Sequence, residues 1–264
     1  MMPFLHCNAN PRNAMYLNWA SLVLLVMLTL LPGTATAQQH SFNSLNWITE
    51  EYYPYNFTEN GLVSGISVDL LRMTWEEMQE PLTIITAYPW ARAYRMAQTQ
   101  PGTVLFSMAR TPEREQMFKW AGPIANVRFV LTAPKSRHLK IAKGTDLTGL
   151  RIGTLREDVG DQLLDPWRDI CTVEPVATVD QNLKKLDMGR LDLISYEESS
   201  TRLLLLRHGK NPNDYETAFV LEEVPIYFAF HKDTPDDLVQ RFQQALDRVK
   251  QSTRFSDLVD EYAR

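Results

Sequence analysis

The feature that most constrains the fold of this chain is an alternation of strand-like and helix-like segments that occurs twice. The first series runs strand, helix, strand, helix, strand over 45–107, and the second repeats that order over 151–195. Strands separated by single helices are parallel, because each helix carries the chain back across one face of the sheet. The sequence therefore predicts an α/β fold with helices covering the sheet.

The individual segments follow from hydrophobic periodicity. In the first helix, Val68, Leu71, Trp75 and Met78 recur on one face, and Ser67 is predicted to cap the first turn. Strands are predicted at 45–49, 82–87, 103–107, 151–154, 172–176, 191–195, 218–221 and 226–230. Helices are predicted at 67–79, 89–99, 160–169, 178–188 and 199–208, and from about 235 and 253 onward.

Apolar strand-like stretches at 128–132 and 226–230 are the places where the chain passes between the two series. No linker rich in Gly, Ser or Pro separates the series, so the crossings are short and direct. We therefore expect two lobes that face a cleft, with lobe 1 formed by 38–130 and 226–264 and lobe 2 by 131–225.

The amino terminus differs in character from the rest of the chain. Residues 19–31 are apolar and uncharged, and Ala35-Thr36-Ala37 follows shortly after. A run of 13 residues is too short to cross about 30 Å of hydrocarbon, whereas small residues two apart are typical of a signal-peptidase site. The sequence predicts a signal peptide over 1–37, with Met1 or Met15 as the start.

Removing 1–37 takes away Arg12 and no acidic residue, which leaves 227 residues with 26 cations, 32 acidic groups and a formal charge of -6. An acidic chain without clustered Lys or Arg lacks the charge pattern that nucleic-acid binding requires. Nucleic acid is therefore not expected as a partner.

Motifs for common site chemistries are missing. The His residues are scattered, and neither a metal-ligand spacing nor a Gly-rich phosphate loop occurs, so we expect no metal and no cofactor. Cys171 is interpreted as a buried strand residue rather than a nucleophile. The adjacent carboxylates Glu50-Glu51 and Glu197-Glu198 are interpreted as solvated surface, because neighbours on a strand face opposite sides.

Polar and aromatic residues follow five of the predicted strands, at the edge where open α/β sheets bind ligands. Any one such loop is also explained by ordinary surface polarity. The recurrence across five loops is what predicts a ligand site. The segments are 50–56 (EEYYPYN), 88–90 (YPW), 107–114 (SMARTPER), 156–158 (RED) and 196–197 (YE).

Three of these stretches carry a family likeness. Taken together, 52–78, 107–124 and 189–199 resemble the extracytoplasmic solute-binding proteins of the polar amino-acid uptake type, family 3, over about 42–262. The resemblance implies a two-lobed periplasmic-binding-protein fold of type II with a ligand cleft between the lobes. It also implies a non-enzymatic, monomeric periplasmic protein that closes on a small solute and delivers it to the membrane permease of an ABC transporter.

The resemblance also implies roles for particular residues. Arg114 matches the arginine that binds the α-carboxylate of the solute, and Ser107 matches a position that donates polar contacts. Tyr52 and Trp90 match aromatic residues that sandwich the solute. Glu197 falls where the family commonly has an Asp that binds the α-ammonium group.

Two departures from the family pattern introduce charge into the expected site. Arg110 follows Ala109 where the family often has a second hydroxyl, and Asp158 lies in the sequence Arg156-Glu157-Asp158-Val159 where it usually has Gly-Ser/Thr-Thr. These changes replace neutral donors, so Arg110 and Asp158 join the expected ligand-binding residues. Arginines that face the cleft would favour an anionic solute.

Two other functions are compatible with the same scaffold. One is a periplasmic lyase that resembles cyclohexadienyl dehydratases, with Glu197 or Asp158 as general acid. The other is a sensory module that presents its ligand state to a membrane receptor.

Overall fold

The computed structural model describes residues 41–262, so the signal-peptide prediction lies outside the described residues. The strands of this part of the chain are β1 Asn46–Thr49, β2 Phe57–Glu59, β3 Leu62–Ser64, β4 Ile85–Ala87, β5 Thr103–Ala109, β6 Phe118–Pro134, β7 Arg151–Leu155, β8 Thr172–Val176, β9 Leu193–Glu197 and β10 Tyr215–His231. Its α-helices are α1 Ile66–Glu77, α2 Trp90–Thr99, α3 Val159–Gln162, α4 Val179–Asp187, α5 Glu198–Arg207, α6 Asp236–Lys250 and α7 Thr253–Tyr262.

Eight of these strands form one sheet in the order β4-β1-β5-β10-β6-β9-β7-β8, and β2 and β3 form a separate hairpin. The strands β4, β1 and β5 are mutually parallel and form the first parallel group. The strands β9, β7 and β8 form the second parallel group. The predicted α/β architecture with two strand–helix series is confirmed.

Two antiparallel strands of 17 residues each, β6 and β10, join the groups. Strand β5 ends at Ala109 opposite Ile226 of β10, which in turn pairs with Ala125 of β6. Strand β9 ends at Glu197 opposite Phe129 of β6. Four residues along a strand span about 13 Å, so the carboxyl ends of both groups meet at the middle of the β6–β10 ladder.

The sequence predicted only short pieces of these two long strands. Gly122-Pro123 within β6 and Glu222-Glu223 within β10 interrupt the apolar pattern and resemble loops. Backbone pairing nevertheless continues past them, with register shifts that absorb the irregular residues. Strand β10 thus replaces two predicted strands with one.

Two local predictions are corrected. Ser67 is not the N-cap of α1, because Gly65 occupies that position at a φ of 121°. A Cβ on Gly65 would come 2.5 Å from the Tyr55 carbonyl oxygen, so only glycine fits. The helix predicted at 160–169 ends at Gln162 and is followed by a 3-10 turn over Asp165–Trp167, where Pro166 has no N–H to donate.

The largest apolar core lies between the first parallel group and helices α1 and α6. Trp47 of β1 contacts the rings of Trp75, Phe230 and Phe242 at centroid distances of 5.2, 5.9 and 5.4 Å. Cys171 is buried, as predicted, and its thiol donates to the Trp167 carbonyl oxygen. Within 41–262, no helix combines the length and apolar character that a membrane crossing requires.

Replacement of Leu71 tests this core. Leu71 is fully buried in α1, so Leu71→Ala is expected to lower the free energy of unfolding by about 2 to 5 kcal/mol through lost burial and a residual cavity. Leu82 is 69% exposed, and Leu82→Ala is expected to change it by less than about 0.5 kcal/mol. Urea denaturation measures both values, and equal losses would contradict the assignment of the core.

Candidate functional site

The central residue of the site is Arg114, which follows β5 and is only 1% exposed. Its Nη1 donates to the Ala109 carbonyl oxygen at 3.3 Å. Its Nη2 donates to the Glu157 carbonyl oxygen at 3.3 Å and to Gln162 Oε1 at 3.2 Å. Because Glu157 and Gln162 follow β7, the guanidinium joins the loops of the two parallel groups.

Aromatic rings flank this guanidinium. Its carbon lies 5.1 Å from the ring centre of Trp90 and 5.0 Å from that of Tyr94, and the two rings stack on each other. Cation–π contacts of this kind hold an arginine side chain in one orientation while leaving donor atoms at its edge available. Arg114 is therefore a rigid, buried donor group.

A small inner cavity of about 10 Å³, room for about one water molecule, lies beside Arg114. Four of the ligand-binding residues predicted from the sequence line it, namely Tyr52, Trp90, Ser107 and Asp158. Residues from both parallel groups and from the β6–β10 ladder line it: Glu50, Tyr52, Trp90, Ser107, Ala109, Phe129, Asp158, Tyr196 and Ile226.

A larger outer cavity of about 230 Å³ shares Glu50, Trp90 and Tyr196 with the inner one. Its described lining includes three carboxylates and no Lys or Arg. The residues are Glu50, Glu51, Thr58, Ala87, Tyr88, Pro89, Trp90, Leu155, Ala177, Thr178, Val179, Asp180 and Tyr196. The two cavities are therefore adjacent, share a wall, and lie between the loops of the two groups.

Three buried donor atoms at or next to the inner cavity have no hydrogen-bond partner. Tyr52 Oη and Trp90 Nε1 belong to lining residues, and Arg114 Nε belongs to a residue that contacts the lining residues Ala109 and Trp90. Buried polar atoms without partners are uncommon and require an explanation. Because an O–H, an indole N–H and a guanidinium N–H meet here, the inner cavity can bind acceptor oxygens such as those of a carboxylate.

Ser107 lies at an irregularity of β5. Its neighbours Phe106 and Met108 pair with the consecutive residues Phe228 and Tyr227, so Ser107 is the extra residue of a bulge. Its φ of 62° lies in the left-handed region, and its hydroxyl donates to Ser67 Oγ at 2.8 Å. Bulges next to binding sites re-aim side chains, and this one turns Ser107 into the lining of the inner cavity.

The carboxyl groups of Glu50 and Asp158 line the same cavity from opposite parallel groups. Burial, reinforced by the charge of Asp158, raises the pKa of Glu50 well above its ordinary value, and Arg114 opposes the shift. Burial raises the pKa of Asp158 to about 6, against the lowering effects of Arg114 and the N–H groups of Val159 and Gly160. Both carboxyl groups therefore keep their protons to a higher pH than ordinary Glu and Asp side chains do.

Arg110 lies outside this group of residues. Its Nε and Nη2 bind the carboxylate of Glu115 at 2.7 and 2.6 Å, and its guanidinium lies 5.1 Å from the Tyr227 ring centre and 5.6 Å from that of Trp120. This bidentate ion pair neutralises the charge of Arg110 and holds its guanidinium outside both cavities. Arg110 therefore lines neither cavity, and the described lining of the outer cavity has carboxylates and no Lys or Arg.

Glu197 is buried but engaged elsewhere. Its Oε1 accepts from Ser199 N–H at 3.0 Å and its Oε2 from Ser200 N–H at 2.6 Å, so it is the N-cap of α5. Strand β9 passes directly into α5, and the first amide groups of that helix need an acceptor. Glu197 is not among the residues that line the inner cavity, which leaves Asp158 and Glu50 as the carboxylates there.

Sequence reasoning misassigned Glu50. It was interpreted as solvated surface, yet it is 6% exposed, whereas Glu51 is exposed and binds the N–H and hydroxyl of Thr58. Adjacent residues on a strand face opposite sides, and this argued against a joint role for Glu50 and Glu51. The same alternation requires one of the two side chains to face inward. Tyr196 lies in the predicted segment 196–197, whereas Gln162 was missed because its contact with Arg114 depends on how the two groups meet.

Known proteins resemble this chain over nearly all of its length. The family model "Bacterial extracellular solute-binding proteins, family 3" matches residues 45–264. The probable amino-acid-binding protein YxeM of Bacillus subtilis is 23% identical over 259 residues, covering 92% of this chain and 94% of YxeM.

Solved structures with a similar fold include a mutant of the protein ArgBP from T. maritima, with a TM-score of 0.73 and 21% identity over 83% of this chain and 94% of that one. An ABC uptake transporter substrate-binding protein from Streptococcus pneumoniae with bound histidine has a TM-score of 0.73 and 18% identity over 83% and 92% of the two chains. The fold is that of type II periplasmic binding proteins, two lobes with a ligand cleft between them.

The raised pKa values predict how stability depends on pH. A carboxyl group whose pKa is higher in the folded than in the unfolded chain stabilises the fold at low pH, and that contribution is lost as the pH rises through the folded value. For Asp158 the window runs from its ordinary value up to about 6. Solute-free protein is therefore expected to gain on the order of 1 kcal/mol of unfolding free energy between pH 8 and pH 5.5.

Urea denaturation at the two pH values measures this gain. Asp158→Asn removes the titrating group and is expected to reduce the gain, whereas Asp260→Asn, at an exposed position of α7, is expected to leave it unchanged. A gain of equal size in wild-type protein and Asp158→Asn would show that Asp158 does not titrate in this window.

Proposed function

The chain belongs to the bacterial extracellular solute-binding proteins, family 3, and on that premise we propose that it captures a small, carboxylate-bearing, amino-acid-like solute by lobe closure. We assign 38–130 and 226–264 to lobe 1 and 131–225 to lobe 2. The β6–β10 ladder crosses between them and is the hinge. The inner and outer cavities are the two ends of the solute site.

The observation that carries this proposal is a set of unpartnered buried donors: those of Tyr52 and Trp90, which line the inner cavity, and that of Arg114, which contacts its lining residues Ala109 and Trp90. A solute carboxylate there would accept from the guanidinium in charge-assisted bonds that contribute about 1.5 to 3 kcal/mol. Asp158, rather than Glu197, supplies the carboxylate for the α-ammonium group, because Asp158 lines the inner cavity and Glu197 does not.

Entry of the solute requires the lobes to separate. An inner cavity of about 10 Å³ is too small for an amino acid, and Arg114 of lobe 1 is bonded to Glu157 and Gln162 of lobe 2. Opening breaks these bonds and exposes both half-sites, and closure around the solute restores contacts across the cleft. A Kd near 1 μM corresponds to about -8 kcal/mol, so burial against Trp90 and Tyr52 must add to the arginine contact.

Delivery follows from the same assignment. We propose that the signal peptide at 1–37 directs the protein to the periplasm, where it acts as a monomer. Loaded protein would then present both lobes to the membrane permease of an ABC transporter.

A second candidate function, a periplasmic lyase, is favoured by the buried carboxyl group of Glu50, which lines the inner cavity with Asp158 and whose pKa is raised by burial. A general acid needs a carboxyl group that stays protonated at working pH. Incubation of the protein with prephenate or arogenate and chromatography of the mixture separates the two functions. Recovery of the compound unchanged supports binding alone, and formation of a product would establish the lyase.

Thermal shift tests the binding function. Solute-free protein is screened against amino acids and organic acids, and a ligand at about 100 times its Kd is expected to stabilise the fold by about 2.7 kcal/mol, or roughly 5 °C or more in Tm. Arg114→Gln is expected to weaken binding about 10- to 100-fold, because the charged, bidentate donor is lost.

The matched control is Arg95→Gln, which makes the same chemical change at an exposed position of α2. It is expected to bind like the wild type. No shift with any compound, or equal losses in the two variants, would refute the proposal.

A further inference from the structure

We propose that the cleft selects a solute with a positively charged side chain, and that this charge takes the place of a proton held between Glu50 and Asp158. The inference rests on the proposed function and deepens it, since it names the class of solute and couples its binding to proton release. The solute class is therefore the basic amino acids.

The charges buried at the inner cavity lead to this inference. Glu50 and Asp158 line the cavity and Arg114 lies beside it, so the three groups sum to -1 when both carboxyl groups are ionised. The α-carboxylate and α-ammonium of an amino acid cancel each other and leave this sum unchanged. A buried charge without a partner is costly, so closure needs one further positive charge.

Neighbouring cations do not supply that charge. His208 pairs with Asp180 at 2.5 Å, and Arg168 pairs with Asp161 at 2.9 Å. Arg92 lies over the Tyr88 ring, 4.4 Å from its centre. Arg114 is thus the cation that Glu50 and Asp158 share.

The other titratable groups facing the pair add no positive charge either. Glu51 precedes Tyr52 and binds Thr58, Glu197 caps α5, and the surrounding phenols belong to Tyr52, Tyr55 and Tyr196. The missing charge must therefore come from a proton or from the solute.

The shape of the cleft places a side chain where this charge is needed. With its carboxylate at Arg114, an amino acid would extend past Glu50 into the outer cavity of about 230 Å³. Glu51 and Asp180 also line that cavity, with Asp180 paired to His208. The Tyr196 ring presents an aromatic surface, which also favours cations. The rings of Tyr88 and Trp90 already contact Arg92 and Arg114.

Proton release follows from the pKa of Glu50. Burial and the charge of Asp158 raise the pKa of the Glu50 carboxyl group well above its ordinary value, which favours the neutral form. A cation placed beside it favours the ionised form, so the proton leaves when the solute binds. Affinity for a basic amino acid should then rise with pH, whereas a neutral amino acid binds with the proton retained.

Isothermal titration calorimetry with L-arginine and its neutral analogue L-citrulline tests the proposal. L-arginine is expected to bind at least about tenfold more tightly, since the charge replaces a proton at a buried carboxylate. Titrations in phosphate and in Tris at pH 7 give heats that differ by the ionisation enthalpies of the buffers. That difference is expected to correspond to release of about one proton per arginine and none per citrulline.

Glu50→Gln keeps the shape of the side chain and removes the titrating group. It is expected to abolish proton release and to bring arginine and citrulline to within about threefold of each other. Glu59→Gln, at an exposed position of β2, is the matched control and is expected to behave like the wild type. Asp158→Asn serves as a second variant if Glu50→Gln fails to fold, with the same expected loss of proton release.

The outcomes separate this inference from the proposed function. Preferential binding of citrulline, glutamate or another non-basic amino acid, or arginine binding without proton release, would overturn the inference and leave solute binding in place. Absence of binding by every amino acid would overturn both.

Discussion

The pairing of β6 with β10 is the constraint on which the rest of the structure depends. Two strands of 17 residues pair along their length, and each holds one parallel group at a different position. Because β5 and β9 reach this ladder about 13 Å apart with their carboxyl ends toward each other, the loops that follow them face one another. The cleft is thus a consequence of register, and the residues that line it need no sequence proximity.

Periodicity in the sequence was sufficient for the elements of the two parallel groups. The alternation around Trp47 and the helical face with Leu71 and Trp75 are set by burial of neighbouring residues, which a local pattern records. The ladder was recognised only in part, because Pro123 and Glu222 interrupt its pattern and are accommodated by backbone pairing with a distant strand. The family likeness led to Arg114, Tyr52, Trp90 and Ser107.

The charge of the site was the property that local sequence patterns predicted least accurately. Arg110 appeared to add positive charge to the site, but Glu115, five residues later, binds its guanidinium. Glu50 appeared to belong to the surface, but the approach of the second parallel group buries it beside Asp158. The sign of the net charge in the cleft depends on which charged side chains are paired. Contacts between residues far apart in the chain decide that pairing.

In the proposed mechanism, the charge on the buried carboxyl groups of Glu50 and Asp158 determines whether the cleft can close. Arg114 gives up bonds to Gln162 and Glu157 on opening, so contacts across the cleft favour the closed form. Ionisation of both Glu50 and Asp158 opposes it, because closure removes water from two like charges that share a single arginine. A proton relieves this repulsion at low pH, and a cationic solute relieves it at high pH. In the proposed mechanism, proton and solute therefore compete for one electrostatic role, and the same two carboxyl groups determine both the stability of the closed form and the choice of solute.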